Sequence, residues 1–82
     1  MRINMKEGIA LVNTNKLRGK IVEMGTTIPE LAEKIGIDKA SFYRKMKSNG
    51  ENFTIKEANL ISKELNLDLD EVNSIFFSSF VA

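Results

Sequence analysis

The segment KASFYRKMK, residues 39–47, holds the side chains best suited to chemistry. Read as a helix, it places Phe42 and Met46 on one side, four residues apart, and Lys39, Ala40, Tyr43 and Arg44 on the other. An ammonium, a guanidinium and a phenol on a convex helix face bind anions. The guanidinium adds a planar fork of donors that matches two acceptors at once. The chain contains no histidine and no cysteine. A disulfide framework, a thiol-ligated metal, a helical zinc site and a serine–histidine catalytic pair are therefore excluded. Catalysis would rest on Asp, Glu, Lys or Tyr, and no two carboxylates fall in a pocket-like pattern. Glu30 and Glu33 are neighbours on one helix, and solvent exposure explains them. The expectation is a binding protein and not an enzyme, with no cofactor, no metal and no small-molecule effector.

The elements around this segment have to hold it in place. Thr27 to Lys47, TIPELAEKIGIDKASFYRKMK, reads as two short helices joined by a tight turn. Thr27 caps the first helix, with Glu30 three residues on as in a capping box. Pro29 sits in the first turn, where a missing N–H costs nothing. Leu31, Ala32 and Ile35 share a face. Gly36 ends the helix in a left-handed conformation that glycine adopts without strain. Ile37 plugs the corner, and Asp38 caps the second helix, which runs from Lys39 to Met46 or Lys47. Small Ala32, four residues before Gly36, lets the two helices approach closely.

That spacing is a helix-turn-helix signature, and LAEKIGI followed by a capped basic helix resembles the Cro/repressor-like (xenobiotic response element) family of DNA-binding domains. The resemblance covers roughly residues 13–77. It implies an all-α fold, a compact five-helix bundle of the lambda-repressor-like type. It also implies a sequence-specific regulator of transcription that binds double-stranded DNA, in the manner of small phage Cro or repressor proteins. In such an architecture the second helix lies in the major groove. Lys39, Ala40, Tyr43 and Arg44 then occupy positions that the family uses for reading bases. Arg44 can pair in bidentate fashion with guanine O6 and N7. Lys39 can do likewise or hold a phosphate, Ala40 can pack on a thymine methyl, and Tyr43 can donate to a phosphate or lie along a sugar. Thr26 and Thr27 bring hydroxyl and backbone N–H groups to a helix N-terminus, which favours phosphate. Further phosphate candidates are Ser41 at the edge of the contact, Lys45, Lys47, Ser48 and Asn49 after the reading helix, and Arg18 or Lys16 toward the flanking strand. The glutamines frequent at family reading positions are missing, so no operator follows from the sequence.

At 82 residues with 43% hydrophobic content, the chain is one domain with one modest core. Its net charge of +1 hides an uneven distribution. Residues 1–63 carry all 12 bases and seven of the 11 acids, a surplus of five positive charges. Residues 64–82 carry Glu64, Asp68, Asp70 and Glu71 and no base. A basic body that meets phosphate and an acidic end that faces elsewhere is the expectation. No secretory signal leads the chain and no apolar run approaches a membrane span, so a cytoplasmic protein is expected.

Residues 1–12, MRINMKEGIALV, precede the family's first helix. Ile3 and Met5 alternate and Ile9 to Val12 are apolar, which allows a strand or arm. Alternatively residues 1–11 are a translated leader: Lys6-Glu7-Gly8 can be encoded by a ribosome-binding sequence and Val12 by an alternative start codon. Residues 13–82 then form the DNA-binding domain. Its first helix starts among Asn13, Thr14 and Asn15, buries Leu17, Ile21 and Met24, carries Lys16, Arg18 and Lys20 outside, and closes at Gly25. Residues 48–53, SNGENF, are turn formers. Asn49-Gly50 could also begin a hairpin, but no alternating strands flank it, so the segment reads as a connection between helices, with Phe53 returning to the core. Thr54 with Glu57 forms a capping box for a helix from Ile55 to Leu65, whose inner face is Ala58, Ile61 and Leu65. Asp68 with Glu71 opens a fifth helix with the stripe Leu69, Val72, Ile75 and Phe76. Three of the five phenylalanines lie in the final eight residues. Phe77, Phe80 and Val81 either form a homodimer contact or fold back over the first helix to complete the core. The rival function from another class is a protein-interaction module, such as an antitoxin or an anti-repressor partner.

Overall fold

Five polar residues stop an extended stretch and start a helix in this chain. Asn13, Thr27, Asp38, Thr54 and Asp68 all have extended backbone, and each side chain accepts a hydrogen bond from a backbone N–H two or three residues ahead. The helices that follow are α1 (Thr14–Glu23), α2 (Ile28–Ile35), α3 (Lys39–Lys47), α4 (Ile55–Glu64) and α5 (Leu69–Phe76). The structure is a computed structural model that describes residues 9, 10, 12–48 and 53–77. The described residues form a mostly helical domain with these five helices. No helix among them is long and apolar enough to cross a membrane.

Thr27, Asp38, Thr54 and Asp68 are the expected caps, and Asn13 is one of the three residues among which α1 is expected to start. Two of the five are full capping boxes. Thr54 and Asp68 exchange side-chain and backbone hydrogen bonds with Glu57 and Glu71. At Thr27 the exchange is incomplete. Its hydroxyl accepts the Glu30 N–H at 3.3 Å and donates to the Glu30 carboxylate at 3.0 Å, so the carboxylate does not serve the Thr27 N–H. The helix ends also follow the sequence. Gly36 takes φ 81° and Gly25 φ 73°, and Asn66 takes φ 54° after α4. At the α2 end, the Ile37 N–H reaches back to the Ala32 carbonyl at 3.0 Å, closing the turn before Asp38 starts α3.

The core is built by the periodic faces. Leu17 and Ile21 of α1, Leu31, Ala32 and Ile35 of α2, Phe42 and Met46 of α3, Ala58 and Ile61 of α4, and Ile75 and Phe76 of α5 are all buried. Val12, Phe53 and Leu65 join them from outside the helices. α2 packs on α3 and on α4, and α1 packs on α5. The Asn13 N–H donates to the Ile75 carbonyl at 2.6 Å, which fixes the start of α1 against α5.

Four expectations need correction. Met24 lies at the C-cap of α1 and is 45% exposed, because the helix stops before its side chain can turn inward. Leu69, the first residue of α5, is 73% exposed for the mirror reason: the inner face begins with Val72. Lys20 does not ride free outside, since its ammonium is bonded to Glu23 and Glu71. The connection after α3 is not featureless. Phe53 and Thr54 form a short strand, β2, that pairs antiparallel with β1 (Ile9–Ala10), with Ile9 opposite Thr54 and Ala10 opposite Phe53. The pair ties the segment before α1 to the start of α4. The remaining expectations for the first eight residues, and those for Asn49, Phe80 and Val81, lie outside the described residues.

The Lys20–Glu71 pair joins α1 to α5, which gives the fold a titratable tie. The hydrogen bond from Lys20, followed by the one from the Asp68 backbone, holds the Glu71 carboxyl below the ordinary carboxylate range. The same pairing, with Glu23 adding to it, raises Lys20. A lowered carboxyl contributes stability above its unfolded-state pKa and loses it as pH falls through the folded value. The contribution should fade from about pH 5 downward. Glu71→Gln keeps an acceptor for the Asp68 N–H and removes the charge. Thermal melts across that range should show a shallower acid decline for Glu71→Gln than for the unaltered protein. Superimposable declines would show that Glu71 does not carry the effect.

Two glycines test the backbone argument separately from packing. A Cβ at Gly19 or at Gly36 would meet nothing within 4 Å. Gly19 has helical backbone within α1, so Gly19→Ala should stabilise by about 0.5–1 kcal/mol. Gly36 has a positive φ, so Gly36→Ala should destabilise by about 1 kcal/mol. Urea unfolding of both variants reads the opposite signs. The same sign for both would mean that backbone conformation does not set the outcome.

Candidate nucleic-acid interface

α3 is anchored from beneath by Phe42 and Met46, and both are buried. The Phe42 ring meets the Phe53 ring edge-on, with centroids 5.3 Å apart and planes at 75°. Residues on the opposite side of the helix are thereby held outward. Lys39, Ala40, Tyr43, Arg44 and Lys47 are exposed. Tyr43 is 47% exposed, which is high for an aromatic ring on a small domain. All four residues expected to read bases are exposed, but they do not share one face. Ala40 and Arg44 lie opposite the core side, and Tyr43 lies on its flank. Lys39, three residues before Phe42 and seven before Met46, is exposed because it is the first residue of the helix. Arg44 donates from Nη2 to the Ser41 hydroxyl at 3.1 Å, a bond that orients the guanidinium and leaves its other donors available.

The residues expected to touch phosphate are placed less uniformly. Arg18 and Lys47 are exposed, and neither has an ion-pair partner among the described residues. Ser41 is half-buried and already accepts from Arg44. Ser48 turns its hydroxyl inward to the Lys45 carbonyl at 3.0 Å. The Thr26 N–H donates to the Ile21 carbonyl at 3.2 Å, as part of the turn that ends α1, so it is not a free anion donor. Thr27 spends its hydroxyl on Glu30, whose carboxylate stands in the first turn of α2. That negative charge opposes an incoming phosphate at the same helix end. Pro29 also removes a donor there.

Lys45 departs furthest from expectation. Its ammonium donates to both oxygens of Glu57, at 2.6 and 2.8 Å, and stands 5.8 Å from the centroid of the Phe53 ring. The side chains of Lys45 and Glu57 are only 17% and 15% exposed. Lys45 faces α4, not the accessible side of α3. Glu57 was legible in the sequence only as a capping residue. The missed signal is that Lys45 sits three residues after Phe42 and one before Met46, on the flank that the core side of the helix leaves. Asp38 adds a second local constraint. Its carboxylate takes the N–H groups of Ala40 and Ser41 at 3.1 and 3.3 Å, so those amides at the start of α3 are already satisfied. Those two amides are not free for an anion, so side chains are the main donors on this face.

The acidic end of the sequence is partly neutralised by the basic body. Glu71 pairs with Lys20, and Glu64 lies 3.5 Å from Lys34. Among the described residues, the bases without an acidic partner are Lys16 and Arg18 on α1, Lys39, Arg44 and Lys47 on α3, and Lys56 and Lys63 on α4.

One groove stands apart from this face. It encloses about 550 Å³ and runs between α4 and α5, lined by Ile55, Lys56, Ala58, Asn59, Ser62, Val72 and Phe77. Phe77, the last described residue, is partly buried against the core and has its ring 6.5 Å from that of Phe76. In comparisons with known proteins, the chain matches no family model, no curated protein and no solved structure.

Proposed function

We propose that this protein is a small sequence-specific regulator of transcription that binds double-stranded DNA. Its architecture is the lambda-repressor-like, Cro/repressor type, and α3 lies in the major groove. The observation that carries the reading is the exposed set Ala40, Tyr43, Arg44 and Lys47, with exposed Lys39 at the helix start, on a helix locked into the core by Phe42 and Met46. A rigidly seated helix with a projecting cationic face is what reading base edges requires. Arg44 takes guanine in bidentate fashion, and Lys39, Tyr43 and Ala40 contribute the neighbouring contacts. Lys47 and Arg18 are the phosphate contacts that geometry favours, because they are exposed and unpaired among the described residues. The protein acts in the cytoplasm as a homodimer that matches two half-sites, with Phe77, Phe80 and Val81 in the dimer contact.

A second reading, a protein-interaction module of the antitoxin or anti-repressor kind, is favoured by the partly apolar groove between α4 and α5. Salt separates the two. Phosphate contacts release counterions, so duplex binding weakens steeply as salt rises, with a slope of about −0.9 per contact. Docking on an apolar groove survives high salt.

The decisive experiment titrates salt against binding to random-sequence duplex DNA, for the unaltered protein and for Lys39→Ala with Arg44→Ala. The unaltered protein should bind with strong salt dependence. The double variant should bind more weakly, with a slope shallower by up to about 2. No duplex binding at low salt in either protein would remove the DNA reading and leave the protein-partner reading. The dimer contact has its own test in sedimentation. Phe80→Asp should shift the protein toward monomer, and a variant that remains dimeric would place the contact elsewhere.

A further inference from the structure

We propose that Glu57 limits how strongly, and with what salt dependence, α3 binds duplex DNA, by withholding Lys45 from phosphate. The inference rests on the DNA-binding reading above and concerns a residue on a different helix from the reading face.

Three observations converge on it. Lys45 belongs to the most basic stretch of the chain, RKMK, residues 44–47, yet its ammonium is held on the α4 side by both Glu57 oxygens. The carboxylate is itself fixed in place. Glu57 Oε1 also accepts the Thr54 N–H at 3.0 Å, and the Glu57 N–H donates to the Thr54 hydroxyl at 3.0 Å. A negative charge in the first turn of a helix interacts favourably with the helix dipole, and Glu57 occupies that place in α4. It is therefore a ready partner for a cation. Third, the ammonium stands near the Phe53 ring, whose face attracts cations, on the flank away from Arg44 and Lys47.

A cation paired in this way does not count among those that displace counterions from DNA. The duplex meets Lys39, Arg44 and Lys47 on α3, and does not meet Lys45. Generic attraction to any phosphate backbone is held down by one contact, while the base-reading residues are untouched. A phosphate contact adds about equally to binding of every sequence, so the clasp sets the overall strength and salt dependence of binding and leaves the choice of sequence to the base-reading residues. Lysine suits this arrangement because its four-carbon stem is flexible. Freed from Glu57, the ammonium can run along the helix to its exposed edge beside Arg44 and Ser48. Phe42 and Met46 hold α3 in the core whether or not the ion pair exists.

Glu57→Gln removes the charge and keeps an amide oxygen for the Thr54 N–H, so the capping box is retained. Binding of random-sequence duplex DNA should then acquire one more phosphate contact. The slope of log affinity against log salt should steepen by about 0.9, equivalent to a further three- to fourfold loss of affinity between 50 and 200 mM salt. Adding Lys45→Met to Glu57→Gln should return the slope to that of the unaltered protein. Lys45→Met alone, which leaves the cap intact and keeps an apolar stem over Phe53, should leave the slope unchanged.

The other outcomes overturn the proposal in distinguishable ways. If the unaltered protein binds duplex DNA with salt dependence but Glu57→Gln has the same slope, the gating role is wrong and the DNA reading stands. If the steeper slope persists in the double variant, the carboxylate acts through its own charge and not through Lys45. If Lys45→Met alone flattens the slope by about 0.9, Lys45 already contacts phosphate in the unaltered protein. If the unaltered protein shows no salt-dependent duplex binding, both readings fall together. Far-UV circular dichroism of each variant confirms that a changed slope belongs to a folded protein.

Discussion

The edge-on contact between Phe42 and Phe53 is the constraint on which the rest of the structure depends. α3 has nine residues, four of them basic and only two of them buried. A helix of that length and composition is not stable alone in water. It exists because Phe42 has a site to occupy, and Phe53 forms one wall of that site. Phe53 in turn belongs to β2, which β1 pairs, and it immediately precedes the cap of α4. Deleting a buried phenylalanine ring typically costs about 3–5 kcal/mol, whereas a helix cap is worth about 1 kcal/mol and an exposed ion pair less still. The aromatic pair thus decides where α3 lies. The polar contacts decide which of its charges can be reached.

Caps and left-handed ends then set the angles between helices at small cost. Gly36 turns the chain between α2 and α3 without a side chain to strain, and Ala32 behind it is buried with little bulk. Electrostatics works over longer range and partly reverses the pattern in the sequence. The acidic residues that follow Lys63 suggest a molecule with two poles. Two of them, Glu64 and Glu71, instead meet Lys34 and Lys20. Among the described residues the unpaired bases are left on α1, α3 and α4, and α3 stands out because it combines them with an exposed tyrosine.

What could be read from the sequence follows from the range of the interactions. Thr54 with Glu57 and Asp68 with Glu71 were legible because a cap bond spans three residues and depends on residue type alone. The core faces of α2 and α3 were legible because their period holds throughout each helix. Met24 was misplaced because the period was carried one step past the end of α1, and Leu69 because it was carried back to the first residue of α5, before the inner face begins. The pairing of β1 with β2 had no signal. Two residues show no alternation, and Ile9 meets Thr54 from the far side of three helices. Lys20 meeting Glu71 was invisible for the same reason. The exposed residues of α3 were legible from the helix, but the phosphate contacts were read from charge and polarity. The structure shows that the Ser48 and Thr27 hydroxyls, the Thr26 N–H and the Lys45 ammonium have partners already.

Lys45 and Lys47 show why a count of bases overstates a binding face. They are two residues apart in one helix, so their side chains diverge by roughly 200°. One lies exposed beside Tyr43, and the other is clasped by Glu57. The clasp also links two functions in a single carboxylate. Glu57 accepts the Thr54 N–H at the start of α4 through Oε1 and restrains the end of α3 by accepting from Lys45 through both oxygens. Replacing it with alanine removes both roles at once and exposes an orphan N–H at the α4 start. Replacing it with glutamine removes only the charge. Helix initiation and the charge presented by the neighbouring helix are therefore coupled in this fold. They can be separated only by a substitution that keeps the shape of the side chain.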